Sequence, residues 1–128
     1  MVERDVEIQV IGIHDGQNVE LKTKGKYVKK NDSEYLEYMD EENIRNHMKI
    51  ERDAIYLTKY TEPPTNMIFK EKEKYEFNYQ TAYGPMEIVM ITKELETKCE
   101  GYNYDIYIKY DMAVAGEMME KELRMVVR

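Results

Sequence analysis

The sequence predicts an all-β fold: an antiparallel barrel, closed or nearly closed, of about eight to ten strands. Three observations predict it. Apolar and polar residues alternate along most of the chain. Turn dipeptides recur at short intervals. Several alternating runs are long and change parity midway, as bulged, curved strands do.

The elements follow in order. Val6, Ile8 and Val10 share one face of the first strand, with Glu7 and Gln9 opposite. Ile11 and Ile13 fall on the other parity, which predicts a bulge near Ile11-Gly12. Asp15-Gly16 is a two-residue hairpin signal, since both residues tolerate positive φ. Val19, Leu21 and Thr23 resume the alternation, and Gly25 bends the return strand before Tyr27. Asn31-Asp32 is the next turn, leading to Tyr35–Met39. After the polar break Asp40–Asn43, residues Ile44, Asn46, Met48 and Ile50 alternate with charged neighbours. Arg52-Asp53 turns into Ala54–Tyr60, and Pro63-Pro64 marks a loop because proline cannot donate to a ladder.

Met67 and Phe69 begin a further hairpin, turning near Lys72 and returning through Tyr75, Phe77, Tyr79 and Thr81. Gly84-Pro85 closes that strand. Met86, Ile88 and Met90 then give way to Leu95 and Thr97 on the other parity, which predicts a second bulge within Ile91–Lys93. Glu100-Gly101 turns into a strand carrying Ile106, Ile108 and Tyr110. Ala115-Gly116 turns into the last one, with Met119, Leu123, Met125 and Val127 aligned. Asn43–Arg52 and Gly116–Val127 are rich in helix formers. Closure decides for strand at the C-terminal end, because the last strand of a barrel can pair with the first.

The chain has 128 residues and reads as one domain, 1–128. Its single cysteine, Cys99, excludes an internal disulfide framework. No secretory signal or membrane span is visible, so a cytoplasmic location is expected. The net charge of −7 disfavours a polyanionic partner, and no nucleic-acid or membrane binding is expected. Twelve tyrosines and ten methionines stand against two phenylalanines and no tryptophan. Such residues suit either an adaptable pocket or an ordinary strand-rich core.

The run Gly25-Lys26-Tyr27-Val28-Lys29-Lys30, followed by Glu34–Tyr38, resembles the early hairpin of the YwiB-like bacterial family of unknown function. Met67-Ile68-Phe69 and the block Tyr79-Gln80-Thr81-Ala82-Tyr83-Gly84-Pro85-Met86-Glu87-Ile88 resemble that family's most characteristic stretch, although Ala82 stands where proline is expected. The resemblance covers nearly the whole chain. It implies a lipocalin-like, or calycin-like, barrel and no catalytic residues. Fold alone does not supply function.

No catalytic constellation emerges from the residues themselves. Cys99 has neither His14 nor His47 near it in sequence, and Ser33 sits in a turn. His14-Asp15 would point apart on a strand unless the turn rotates them, and Asp40-Glu41-Glu42 lacks calcium-loop spacing. No metal and no cofactor are expected. Two readings of function stay open. One is a barrel binding a small, partly apolar molecule, with Met48, Tyr75, Tyr79, Met90 and Tyr110 lining the interior and Tyr83 near a mouth. The other is a protein-interaction or assembly module with a filled barrel, for which a homodimer is one form.

Overall fold

The structure is a computed structural model describing residues 1–128, the Gln80 side chain excepted. Its strands are β1 (Val2–His14), β2 (Gln17–Lys30), β3 (Ser33–Met39), β4 (Arg45–Ile50), β5 (Ala54–Lys59), β6 (Thr65–Lys70), β7 (Lys74–Thr81), β8 (Gly84–Glu100), β9 (Asn103–Val114) and β10 (Glu117–Val127). They form one sheet in the order β6-β5-β4-β3-β2-β1-β10-β9-β8-β7, and each neighbouring pair is antiparallel. The result is a nearly closed barrel. Its upper end carries the connections that follow the odd-numbered strands. Its lower end carries the remaining connections and both termini.

Closure has two parts. β1 and β10 pair from Ile8↔Val127 to His14↔Lys121, and Glu7 and Arg128 extend the ladder with two more backbone hydrogen bonds. β6 and β7 do not form the expected hairpin. They stand at opposite ends of the sheet, joined by a tight corner at Lys72, whose φ is 68°. The Lys72 amide donates to the Thr92 carbonyl at 2.7 Å, and Glu71 bridges Thr92 in parallel. The corner sends the chain across a gap instead of folding it back, so β6 pairs only with β5 and β7 only with β8.

The two expected bulges fare differently. In β8 the register with β9 shifts between Thr92 and Glu94, leaving Lys93 as the extra residue. Ile88, Met90 and Thr92 are buried before it, and Leu95 and Thr97 face inward after it. In β1 there is no bulge at Ile11-Gly12. The register with β2 runs unbroken from Val2↔Lys29 to His14↔Gln17, and β10 holds the opposite edge. An extra residue would break both ladders, so Ile11 and Ile13 stay half-buried on the outer wall. The helix formers of β4 and β10 are overridden by pairing on both sides.

The core is contiguous. Leu36, Met48, Ile55, Phe69, Met90, Ile108 and Met125 are all essentially inaccessible to water. Each such side chain contributes roughly 1.5–3 kcal/mol of burial relative to exposure. Phe69 on β6 meets Tyr110 on β9 edge to face, with centroids 5.3 Å apart. That contact ties the two sides of the open seam through the interior.

Gly25 sits where β2 first gains β3 as a second neighbour, opposite Val6 and Tyr38. A Cβ there would collide with the Glu37 carbonyl oxygen and lie 2.7 Å from Ile8 Cδ1. Gly12, by contrast, has only the Val19 carbonyl oxygen, at 4.0 Å. Gly25→Ala is therefore expected to cost about 1–3 kcal/mol in urea unfolding, in the range of overpacked cores. Gly12→Ala should stay within about 0.5 kcal/mol of the parent, or stabilise it, by the same measurement. Equal effects at the two sites would show that the β1–β2–β3 contact is not tight.

Candidate functional site

The lower end of the barrel is sealed by aromatic side chains. Tyr27 and Tyr104 pack with centroids 6.1 Å apart, and the Tyr27 hydroxyl donates to Glu34 Oε1 at 2.8 Å. The Tyr104 hydroxyl faces Glu34 and Cys99 but closes no hydrogen bond of good geometry. Burial, reinforced by these neighbours, drives its ionisation far above the ordinary phenol range. Arg4 lies over the Tyr102 ring, 3.9 Å from its centroid, beside the same end.

The upper end is open. A cleft of about 360 Å³ lies between the β1–β2 hairpin, the β9–β10 wall and the β3–β4 turn. Its apolar lining comes from the inward-facing Val10, Val19 and Leu21, with the outward-facing Ile13 and Glu122 bordering it, and Tyr110 and Lys121 stand on the β9–β10 wall. Strand register explains the grouping. His14 on β1 pairs with Lys121 on β10, which pairs with Tyr110 on β9. Alternation turns all three to the inner side. Burial raises the Tyr110 phenol to about 12, so it stays a neutral hydroxyl at physiological pH. The Asp15 turn does rotate its side chain toward the strand. His14 Nε2 lies 3.3 Å from the Asp15 carboxylate, while Nδ1 sits 3.2 Å from the Glu120 carbonyl oxygen.

A larger open groove, about 670 Å³, runs along the barrel at β1–β2–β3. Charges of both signs wall it, including Asp5, Glu7, Lys24, Lys26, Glu37 and Arg45. Exposed ionic walls of mixed sign are the ordinary state of a solvated surface. The smaller mouth cleft combines an apolar patch from β1 and β2 with the polar side chains of His14, Gln17, Glu41, Tyr110, Lys121 and Glu122, a mixture that can hold an apolar body and orient a polar head.

The β3–β4 turn that contributes Glu41 to the mouth is pinned by Asp40. Asp40 Oδ1 accepts from the Glu42 and Ile44 amides at 2.9 and 3.0 Å, and Oδ2 from Asn46 Nδ2 at 3.0 Å. Lys59 Nζ lies 3.4 Å from the same oxygen. Burial pushes this carboxyl up, but the hydrogen bonds and Lys59 outweigh it and hold it below the ordinary aspartate range.

The residues singled out from sequence separate in space. Met48 and Met90 lie in the packed core. Tyr75 and Tyr79 face inward from β7 along the open seam, half-buried, with Tyr75 stacked on Phe77 at 5.7 Å. Tyr83 is fully exposed at the β7–β8 tip, on the upper rim. Tyr110 alone among them lines the mouth cleft. Sequence reasoning missed Val10, Leu21 and Lys121 as companions of Tyr110. Their shared inward parity was visible, but not which strands would stand beside them. Cys99 is exposed at the lower end, where its thiol donates to the Gly101 carbonyl at 3.2 Å, far from His14 at the upper rim. Among the described residues, no cluster of three or more histidine, cysteine or acidic side chains is placed to hold a metal ion. No helix among them is long and apolar enough to cross a membrane.

The chain is similar to known proteins in two respects. The sequence model of a family described as a domain of unknown function, DUF1934, matches residues 6–125. The crystal structure of the ywiB protein from Bacillus subtilis superposes with a TM-score of 0.81. That likeness covers 98% of this chain and 92% of the other, at 19% sequence identity, and it shows the fold. No match was found among curated proteins.

The pinning of the turn has a pH signature. Asp40 titrates lower in the folded than in the unfolded state, so its contribution is present above the unfolded value near 3.8. It is lost as pH falls through the lower folded value. Asp40→Asn is expected to destabilise the protein at pH 6 by about 1–3 kcal/mol. It should also flatten the loss of stability on acidification below pH ~4, because the titrating group is gone. Parallel acid profiles for parent and variant, measured by urea unfolding, would refute the assignment.

Proposed function

The chain belongs to the DUF1934 family, and from that premise we propose that it binds a small, partly apolar molecule in the upper mouth of its barrel. One observation carries this reading: an open cleft of about 360 Å³ that joins the apolar side chains of Val10, Val19 and Leu21 to Tyr110 and Lys121. The volume lies near the lower bound of small-molecule sites, roughly 300–1,000 Å³. It suits a ligand that enters head or tail first and leaves the packed core undisturbed. Val10 and Leu21 offer apolar contact, and Tyr110 offers a neutral donor and acceptor for orientation. The protein acts here as a binder and not as an enzyme, and its expected location is the cytoplasm.

Octanol serves as a minimal probe. Titrated into the labelled protein, it is expected to move the amide signals of Val10, Leu21 and Tyr110 more than those around Tyr104. Leu21→Trp fills the cleft from a half-buried position and should abolish these shifts while circular dichroism stays unchanged. Absence of any shift at the mouth in the parent protein would remove the reading.

A second reading rests on a different observation. Val19, Met39, Tyr60, Tyr83 and Met118 are large exposed apolar residues, and all lie at or near upper-end connections. Residues of this kind, one at each upper-end connection, suit contact with a protein partner or a second copy of the chain. Sedimentation over a range of concentrations is expected to show association, weakened by the double change Tyr83→Ser and Met118→Ser. A strict monomer throughout would exclude self-association.

A further inference from the structure

Half-buried lysines in this protein are compensated, with one exception. Lys49 lies 3.3 Å from Glu51, Lys59 3.4 Å from Asp40, Lys70 3.8 Å from Glu73 and Lys109 3.7 Å from Glu120. Lys121 is half-buried as well, yet among the described residues no carboxylate lies within 4.0 Å of its ammonium group. The uncompensated lysines elsewhere, such as Lys24, Lys29, Lys30, Lys72 and Lys98, are exposed to water. Lys121 instead lines the mouth cleft, on the inner side of β10 between Tyr110 and His14. A cation partly removed from water without a partner has a desolvation cost that an incoming anion would offset.

The neighbouring ionisable groups define where that anion can sit. His14 is engaged on both nitrogens, by the Asp15 carboxylate and by the Glu120 carbonyl. Glu122 follows Lys121 on β10 with the opposite parity and borders the cleft, where it makes no ion pair with Lys121 and disfavours an anion on its own side. Glu41 enters from the β3–β4 turn and would repel a second negative charge. The remaining anion-accepting position is the β9–β10 wall, with the Tyr110 hydroxyl as a further donor. Val10 and Leu21 are left for an apolar body.

We propose that Lys121 is the counter-ion for a ligand carboxylate, so that the mouth takes a small apolar acid in preference to a neutral apolar molecule. This rests on the reading of the mouth as a ligand site, and goes beyond it in naming the ligand's chemical class.

The test compares octanoate with octanol, which share a chain and differ in the charged head. Binding is followed by calorimetry and by amide shifts in the intact protein. Octanoate is expected to bind about tenfold more tightly than octanol, a typical margin for one charge-assisted contact. Lys121→Met should bring octanoate down to the octanol level and leave octanol unchanged, which also shows that the variant is folded. Glu41→Gln should strengthen octanoate binding and leave octanol unaffected. Equal binding of the two probes, or an octanoate site unaffected by Lys121→Met, overturns the counter-ion assignment while the apolar mouth stands. Failure of both probes to bind at the mouth overturns the assignment and the ligand-site reading together.

Discussion

The pairing of the first strand with the last holds this molecule together. Without the β1–β10 ladder the sheet would end in two open edges in its middle, and the core would have no wall between Ile8 and Met125. With it, each strand from β5 to β8 along the closed path has neighbours on both sides. The same ladder sets the register that brings His14 against Lys121, and β9 then adds Tyr110. The mouth is therefore a by-product of closure. Its polar groups are placed by strand pairing and not by a loop.

Filling and opening are divided along the barrel axis. The lower end is closed by Tyr27, Tyr104 and Glu34. The middle is occupied by Leu36, Met48, Met90 and Ile108, packed without water contact. Only the upper end leaves room, because β1 and β2 run on as a long hairpin past the end of β3. The Asp40 turn closes the shorter side. A barrel of this kind does not need a hollow centre to take a ligand, since a cup above a filled floor is sufficient.

Much of the fold was legible in the chain because the signals were local. Asp15-Gly16 and Asn31-Asp32 take up the positive φ angles that their residue types favour. The switch of parity around Lys93 is a bulge because one extra residue must leave the ladder. The β6–β7 corner was not legible. A turn at Lys72 between two alternating strands has the same local pattern whether the strands pair or part, and the difference lies in partners far away in sequence. Ile11 and Ile13 misled for the same reason. Apolar residues on an outer wall look like a bulge until both neighbouring ladders are known. At the site, Tyr110 could be picked out as an inward tyrosine. Lys121 could not, because a lysine in an alternating strand reads as solvated until its opposite numbers on β1 and β9 are known.

The place of closure has a consequence for synthesis on the ribosome. β1 is made first, but its second partner is made last. Until β10 has left the exit tunnel, the β1 edge and the apolar faces of Ile8 and Val10 await their cover. While β10 is unmade, β1 lacks one of its two partners, and an unpaired strand edge favours mispairing with a neighbouring chain.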